Sequence, residues 1–118
     1  IIYINDAYNA SPMSMKCSIE TFSGLYNDKI KIAVLGDMLE LGEESPQLHR
    51  DIKNTLEKSK IDIIMLYGKM MRELYEEIGE KALYFIDKSD IKAEIKRIIG
   101  EKAVLLKGSR GMKLEDII

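Results

Sequence analysis

The chain has 118 residues, of which 46% are hydrophobic, and this length and composition support one packed domain over residues 1–118. Its 18 basic and 20 acidic residues leave a formal net charge of -2 at pH 7, which argues against a nucleic-acid partner or an anionic membrane surface. One cysteine and one histidine exclude an internal disulfide and a clustered zinc site, so we expect a cytoplasmic protein.

The chain carries no sign of a membrane segment. Its longest apolar runs are far shorter than the roughly 20 residues that cross a bilayer, so we expect a soluble protein with no membrane partner. The first four residues, Ile-Ile-Tyr-Ile, are typical of a strand inside a sheet, and no initiator methionine precedes them. We therefore expect a fragment of a longer protein.

Five short runs rich in β-branched and aromatic residues predict five strands, each followed by a helical pattern. The predicted strands cover residues 1–5, 31–35, 61–67, 82–86 and 103–106. This alternation predicts an α/β fold, specifically a three-layer, Rossmann-like domain with a mostly parallel sheet of five or six strands.

Apolar residues at helical spacing predict the helices between these strands. The predicted buried stripes are Met15, Ile19, Phe22 and Tyr26; Leu48, Ile52 and Leu56; Met71, Leu74, Tyr75 and Ile78; and Ile91, Ile95 and Ile98. Ser11-Pro12 and Ser45-Pro46 each predict a helix start with a capping hydroxyl, and a last short helix is expected near Gly111. Cys17 is expected to be buried.

Ligands of open parallel sheets bind beyond the carboxyl ends of the strands, which directs attention to three turns. The first turn contains Asp6, Tyr8 and Asn9, and this mixture suits a nucleoside. A carboxylate accepts hydrogen bonds from ribose hydroxyls, a tyrosine ring stacks on a base, and an amide pairs with polar atoms of either. The alternative is that the polar side chains satisfy turn amides while the ring packs on the sheet edge.

The second turn, residues 36–43, holds two glycines and the carboxylates of Asp37, Glu40 and Glu43. These carboxylates suit an amine, a cation or a hydroxyl, and the acidic charge excludes a Walker phosphate loop. A solvated loop that caps a helix is the alternative. His49, in the following helix, is interpreted as a packing or hydrogen-bonding residue rather than a catalyst.

The third turn has the opposite charge. It reads Lys107-Gly108-Ser109-Arg110-Gly111, so two cations, a hydroxyl and turn amides lie together at the end of a strand. This combination favours a carboxylate or phosphate ligand. Ordinary surface charge is the alternative.

Three separated segments resemble, in order and spacing, the C-terminal domain of the Mur ligases. They are DAYNASP at residues 6–12, AVLGDMLELG at residues 33–42 and LKGSRGM at residues 106–112. The match is closest to the branch of the family that adds D-alanyl-D-alanine to UDP-N-acetylmuramoyl-tripeptide in peptidoglycan synthesis.

The resemblance implies a three-domain ligase in which ATP, with Mg²⁺ held mainly by a central ATPase domain, phosphorylates the tripeptide carboxylate. The dipeptide amine then attacks the acyl phosphate. Asp6, Tyr8 and Asn9 would contact the adenosine part of ATP. Five substrate-binding residues would lie near the dipeptide or the reacting phosphate: Asp37, Glu40, Lys107, Ser109 and Arg110. The covalent partner would be the upstream ATPase domain, and this chain alone would be inactive.

Two other functions fit the same pattern of residues. One is a free-standing, Rossmann-like module that binds a nucleotide or a small acid without catalysis. Such a module needs only the polar turns at the carboxyl ends of the strands. A phosphoacceptor domain modified on Asp6 or Asp37 is disfavoured, because the third predicted strand ends in Tyr67-Gly68-Lys69 and not in an acidic residue. The ligase interpretation requires that the turns of Tyr8 and Arg110 open onto a common cleft.

Overall fold

The secondary structure alternates between strands and helical segments. The computed structural model describes residues 1–8 and 10–118. The strands are β1 (Ile2–Asp6), β2 (Ile30–Gly36), β3 (Ile63–Tyr67), β4 (Ala82–Phe85) and β5 (Lys102–Lys107). The helices are α1 (Pro12–Ser23), α2 (Ser45–Arg50), α3 (Ile52–Glu57), α4 (Met71–Ile78) and α5 (Lys88–Arg97), with short 3-10 segments at Gly42–Glu44, Gly79–Lys81, Arg110–Met112 and Leu114–Ile117. All five predicted strands are present.

The five strands form one sheet in the order β1-β5-β2-β3-β4, and every neighbouring pair is parallel. The predicted α/β fold with a parallel sheet is therefore confirmed. The register aligns Lys107 with both Asp6 and Leu35, and Tyr67 with both Gly36 and Phe85. All strands consequently end at one rim, where the three turns identified in the sequence also begin.

Helices cover both faces of the sheet and make it the middle of three layers. Side chains from α1, α3 and α4 pack on one face with Ala33, Leu35 and Leu66. Side chains from α5 and the last 3-10 segment pack on the other face with Ile32, Val34 and Val104. The central strands are covered on both sides, which explains why β2 and β5 read as almost continuous apolar runs.

The predicted start of α1 is confirmed. Ser11 Oγ accepts a hydrogen bond from the Ser14 amide at 3.1 Å, and Ser14 Oγ accepts one from the Ser11 amide at 2.8 Å. Pro12 occupies the first turn. Such a reciprocal cap satisfies two amides that the helix itself leaves unpaired, and replacing a capping serine typically costs about 1 kcal/mol. This cap fixes the direction in which the chain leaves the β1 turn.

The predicted cap at Ser45 is wrong. A 3-10 turn, Gly42–Glu44, runs directly into α2, so Ser45 is already helical and its side chain caps nothing. The helix predicted after it is divided at Asp51 into α2 and α3. Because α2 packs against α4, Leu48 is only partly buried, and His49 is the buried residue of this helix.

Two further expectations for helical segments are corrected. Cys17 is exposed, because the buried stripe of α1 consists of Met15, Ile19 and Phe22 and leaves the cysteine on the other side. The helix expected near the C-terminus forms as two 3-10 segments, since Lys113 between them has a left-handed φ of 49°. Across residues 1–8 and 10–118, no helix is both long and apolar enough to span a membrane.

Candidate functional site

Asp6 and Lys107 face each other at the carboxyl ends of β1 and β5. The Lys107 ammonium lies 3.1 Å from Asp6 Oδ2, and the lysine side chain is 3% exposed whereas the aspartate side chain is 44% exposed. The Ser18 hydroxyl, on α1, donates to the same oxygen at 2.6 Å. Within the described residues no hydrogen bond reaches Asp6 Oδ1, and the carboxylate is partly open to solvent.

Side chains alternate across β1, and this alternation divides the first turn between the two faces of the sheet. Asp6 lies on the α1 side with Ser18, whereas Asn5 and Ala7 lie on the side of α5. On that second side there is a cavity of about 360 Å³, lined by Asn5, Ala7, Tyr8, Arg110 and Glu115. Asp6 and Tyr8, which the sequence groups together, therefore line opposite sides of the rim, and a ligand that contacts both must cross the end of β1.

Tyr8 and Arg110 meet across the rim. The Arg110 guanidinium carbon lies 5.2 Å from the centre of the Tyr8 ring, within the range of a cation-π contact. The tyrosine is nevertheless 70% exposed, so most of its ring is open to a ligand. The turns of Tyr8 and Arg110 thus open onto a common cavity, as the sequence predicted. Asn9, the third predicted adenosine contact, lies outside the residues that the structure describes.

Asp37 is occupied with the backbone of α4. Its side chain is buried, and its two oxygens accept hydrogen bonds from the amides of Met70 at 3.1 Å and Met71 at 2.8 Å. These amides belong to the first turn of α4, which has no cap from its own sequence. The carboxylate of Asp37 therefore caps a helix that begins 34 residues later in the chain, and little of it faces solvent.

Gly68 makes the approach of Asp37 to α4 possible. Its φ is +119°, and a Cβ placed there would lie 2.4 Å from Asp37 Oδ1. The neighbouring loop is held by Tyr84, whose hydroxyl donates to the Gly68 carbonyl at 2.9 Å. Burial raises the pKa of Tyr84, and the negative charge of Asp37 raises it further. This tyrosine was not singled out in the sequence.

Two hydrogen bonds join the acidic loop to the basic turn. The Ser109 amide donates to the Asp37 carbonyl at 2.9 Å, and Ser109 Oγ accepts from the Leu39 amide at 2.8 Å. Because Oγ acts here as an acceptor, the hydroxyl hydrogen of Ser109 can still be donated to a ligand. The two turns consequently form one connected unit at the rim.

His49 stabilises the acidic loop of this unit through buried hydrogen bonds. It is fully buried, and its Nε2 accepts a hydrogen bond from the Met38 amide at 3.0 Å. An amide can only donate, so Nε2 carries no proton and the neutral ring carries its proton on Nδ1. Nδ1 donates to the Ser45 carbonyl at 2.7 Å. His49 is thus a structural hydrogen-bonding residue, as the sequence suggested.

Glu40 lies at the tip of the acidic loop. It is exposed and adopts a left-handed φ of 63°. In the part of the chain that the structure describes it forms no ion pair. Its carboxylate is therefore exposed at the rim, with no ion-pair partner among these residues.

Lys88, which the sequence did not single out, holds the C-terminal segment in place. Its ammonium donates to the carbonyls of Met112 at 3.2 Å and Lys113 at 3.1 Å, and to Asp116 Oδ2 at 2.9 Å. The hydrogen bond from Lys88 lowers the pKa of Asp116. This lysine starts α5, so it ties the last residues of the chain to that helix and helps to position Glu115 beside the cavity.

The site has no obvious place for a metal ion. Among residues 1–8 and 10–118, no group of three or more His, Cys, Asp or Glu side chains has the arrangement of a metal centre. The charged groups at the rim are instead paired across the turns or open to solvent.

Comparison with known proteins gives one family. The family model for the Mur ligase glutamate ligase domain matches residues 1–110. The UDP-N-acetylmuramoyl-tripeptide--D-alanyl-D-alanine ligase of Bacillus subtilis (strain 168) is 37% identical over 98% of this chain and 26% of its own length. MurF from Acinetobacter baumannii superposes with a TM-score of 0.85 at 28% identity, covering 98% of this chain and 26% of that one.

MurF ligase from Thermotoga maritima, solved in complex with ADP, superposes with a TM-score of 0.80 at 27% identity over 98% of this chain and 27% of that chain. The chain spans about a quarter of the length of the curated relatives it matches. The matching segment includes the three turns that form the rim. The chain belongs to the Mur ligase family, and it has the fold of the glutamate ligase domain of that family.

Proposed function

We propose that this chain is the C-terminal domain of a cytoplasmic, ATP-dependent ligase that adds D-alanyl-D-alanine to UDP-N-acetylmuramoyl-tripeptide in peptidoglycan synthesis. Residues 1–118 form this domain, and the N-terminal and central ATPase domains complete the enzyme. The observation that carries the proposal is the meeting of three turns at one rim: the turn of Tyr8, the loop of Asp37 and the turn of Lys107. These are the segments that resemble the ligases named above.

The reaction consists of two transfers. The γ-phosphoryl group of ATP passes to the terminal carboxylate of the tripeptide, which gives an acyl phosphate and ADP. The amine of the dipeptide then attacks the acyl carbon, loses a proton and forms the new amide as phosphate leaves. The chemistry needs cations near the transferred phosphoryl group and a way to bring the dipeptide against it.

The first turn provides the nucleoside contacts in this proposal. The exposed ring of Tyr8 offers a stacking surface for the adenine base. Asp6 Oδ2 is fixed by Ser18 and Lys107, and Oδ1 is left to accept a hydrogen bond from a ribose hydroxyl. We also assign Asn9 to the adenosine contacts, because it lies in the DAYNASP segment that resembles the family.

The third turn provides the contacts to anions. The Lys107 ammonium has three donors and lies 3.1 Å from Asp6 Oδ2, so donors remain for a phosphate or carboxylate. Arg110 and the hydroxyl hydrogen of Ser109 supply further donors at the same rim. A buried ammonium is effective here because its field is weakly screened by water.

The acidic loop has two roles in this proposal. Asp37 acts as a positioning residue, since its carboxylate caps α4 and its carbonyl fixes Ser109. Glu40 is exposed at the loop tip and is free to contact the incoming substrate. Mg²⁺ would neutralise the phosphates of ATP, and we assign it mainly to the central ATPase domain.

A domain exchange tests the proposal. This chain replaces the matching C-terminal segment of the Bacillus subtilis relative, and ADP release is measured with and without D-alanyl-D-alanine. We expect release that depends on the dipeptide, and a drop of roughly tenfold to a hundredfold in kcat/KM for Lys107→Ala, because a charge-assisted contact is lost. Glu77→Gln, an exposed change on α4, is the control for net charge.

Two outcomes would contradict the ligase assignment. One is a correctly folded chimera that releases no ADP while the isolated chain binds ATP tightly, which would indicate a free-standing binding module. The other is full activity in both Lys107→Ala and Asp6→Ala, which would remove the site. A urea unfolding curve for each variant separates loss of activity from loss of folding.

A further inference from the structure

Ser18 reaches the rim from the middle of α1. Its hydroxyl donates to Asp6 Oδ2 at 2.6 Å. This distance is in the short range of hydrogen bonds from a hydroxyl to an ionised carboxylate, roughly 2.5–2.7 Å, and such bonds are stronger than those between neutral groups. The helix is fixed on the sheet around this position, because the side chains of Met15 and Ile19 are fully buried. Ser18 is therefore a rigidly placed donor.

The two oxygens of Asp6 have different surroundings. Ser18 Oγ and the Lys107 ammonium both lie next to Oδ2, and they approach it from different elements, α1 and β5. Across residues 1–8 and 10–118, no hydrogen bond reaches Oδ1. The last torsion of an aspartate side chain is broad and roughly two-fold, so its oxygens exchange places unless a neighbour fixes the plane of the carboxylate. The hydroxyl of Ser18 is such a neighbour.

Lys107 alone would hold this carboxylate differently. The lysine side chain is 3% exposed, so little water can replace Asp6 at the ammonium. Without the hydroxyl of Ser18, both carboxylate oxygens can turn toward the ammonium, because the attraction grows as the charges approach. That rotation withdraws Oδ1 from the rim and engages more of the ammonium. Ser18 and Lys107 therefore have opposing effects on the orientation of Asp6.

We propose that Ser18 is a positioning residue of the nucleoside site. It contacts no ligand itself, and it acts by holding Asp6 through Oδ2 so that Oδ1 is directed to a ribose hydroxyl. The same contact limits how much of the Lys107 ammonium Asp6 engages. This inference rests on the proposed function and deepens it by adding a residue of α1 that the sequence did not single out.

The chain offers substitutions that isolate the effect of the hydroxyl. Ser18→Ala removes only this group, and alanine is the better helix former, so α1 itself is not weakened. A cavity of about 220 Å³ lies on the α1 side of Asp6 and is lined in part by Cys17 and Ser18, so the extra methyl group of Ser18→Thr has room. Cys17→Ala alters an exposed residue of the same cavity and is the matched control.

The test uses the full-length enzyme and compares ATP with 2′,3′-dideoxy-ATP, which lacks both ribose hydroxyls. Ser18→Ala is expected to raise the KM for ATP by about fivefold or more, because the contact of a charged group with the ribose is weakened. The KM for the dideoxy nucleotide, and kcat with either nucleotide, should stay within about twofold. Ser18→Thr and Cys17→Ala should retain the KM values of the unmodified enzyme. A merely structural role would change the KM for both nucleotides alike.

A double-mutant cycle tests whether Ser18 acts through Asp6. Asp6→Ala removes the carboxylate, so adding Ser18→Ala to it should change the KM for ATP by no more than about twofold. Effects of the two substitutions that multiply would show that Ser18 acts by another route, and they would overturn the inference. An unchanged KM for ATP in Ser18→Ala, or an equal rise for the two nucleotides, would overturn it as well.

The unmodified enzyme gives a measurement that does not depend on the folding of any variant. Its KM for 2′,3′-dideoxy-ATP should exceed that for ATP by about fivefold or more, and equal values overturn the inference because Asp6 would then have no ribose contact to lose. A full-length enzyme without dipeptide-dependent ADP release overturns the proposed function and this inference with it. An active ligase that is insensitive to Ser18→Ala overturns the role of Ser18 alone, so the two failures are distinguishable.

Discussion

The Lys107 ammonium lies 3.1 Å from the Asp6 carboxylate, at directly opposite positions of β5 and β1. The lysine side chain is almost fully buried, and Asp6 is its ion-pair partner among the described residues. The contact also ties the nucleoside turn to the anion turn, because each residue is the last of its strand. A ligand that binds either residue therefore acts on both turns.

Breaking this pair should destabilise the fold by different amounts, depending on which of the two residues is replaced. Asp6→Asn leaves a buried ammonium without a counter-charge, and we expect a loss of about 2–3 kcal/mol in the free energy of unfolding, below the full cost of a buried pair because Asp6 is partly exposed. Lys107→Met should cost less, because a methionine can fill the space. Urea unfolding of the two single variants and the double variant measures the coupling between the residues.

A pair with a more exposed carboxylate provides the comparison. Lys29 and Glu101 lie 3.0 Å apart, almost the same distance, but the glutamate side chain is 82% exposed. We expect a clearly smaller coupling for this pair, since water and salt screen it. Equal coupling energies for the two pairs would contradict the role assigned to the burial of Lys107.

A methyl group at Gly68 should separate Asp37 from α4. The new Cβ would lie 2.4 Å from Asp37 Oδ1, and the φ of +119° is unfavourable for any other residue. We expect Gly68→Ala to lower the free energy of unfolding by more than about 2 kcal/mol through strain and loss of the cap. Chemical denaturation gives the value, and the amides of Met70 and Met71 should exchange faster with solvent.

Gly42→Ala is the matched control for this substitution. Its φ is also positive, at +71°, but a Cβ there meets no atom within 4 Å. The cost should therefore be limited to the backbone conformation, roughly 1 kcal/mol. Equal losses in the two variants would mean that the contact with Asp37 contributes nothing.

The sequence predicts the strands and the rim well, because both follow from local patterns. Continuous apolar runs in β2 and β5 reflect burial on two faces, and parallel strands necessarily end at one edge. The resemblance to the Mur ligase family identifies the three turns as the segments that carry the function. That Arg110 lies over Tyr8 follows from the strand order, which places β5 beside β1.

Partners that are distant in sequence were not predictable from these patterns. Asp37 caps a helix 34 residues away, and nothing local distinguishes such a carboxylate from one that faces a substrate. Nothing in the local sequence distinguishes Ser18 from other helical serines, because its contact with Asp6 forms only in the folded protein. Cys17 was misplaced because helical spacing defines a stripe, and a residue at its border falls on either side.

Replacing His49 should loosen the acidic loop. His49→Ala removes the acceptor of the buried Met38 amide and the donor to the Ser45 carbonyl, so we expect a loss of about 2–3 kcal/mol in the free energy of unfolding. Thermal or urea unfolding measures this loss. Hydrogen exchange of the Met38 amide should accelerate more than that of Val34, which lies within β2. Unchanged exchange at Met38 would contradict the assigned hydrogen bond.

The contact between Lys88 and Asp116 predicts a pH dependence with a definite sign. A hydrogen bond from the Lys88 ammonium lowers the pKa of Asp116 below its ordinary value of 3.8. The folded state therefore binds the proton more weakly than the unfolded state does. The stabilisation is fully present above the unfolded pKa, and it is lost as the pH falls through the lower, folded pKa. The stability difference between the protein and Lys88→Met should accordingly shrink at acidic pH, below about 4.

A carboxyl titration by NMR tests the cause of this shift. Lys88→Met should raise the midpoint of Asp116 toward its ordinary value, because the largest cause of the shift is removed. Asp87 is the internal control: its pKa is also lowered, but chiefly by the backbone and side-chain hydrogen bonds from Ser89, and only slightly by the charge of Lys88. Its midpoint should therefore change little. If both midpoints rise equally, the effect is general electrostatics, and the specific anchoring of the C-terminal segment by Lys88 is excluded.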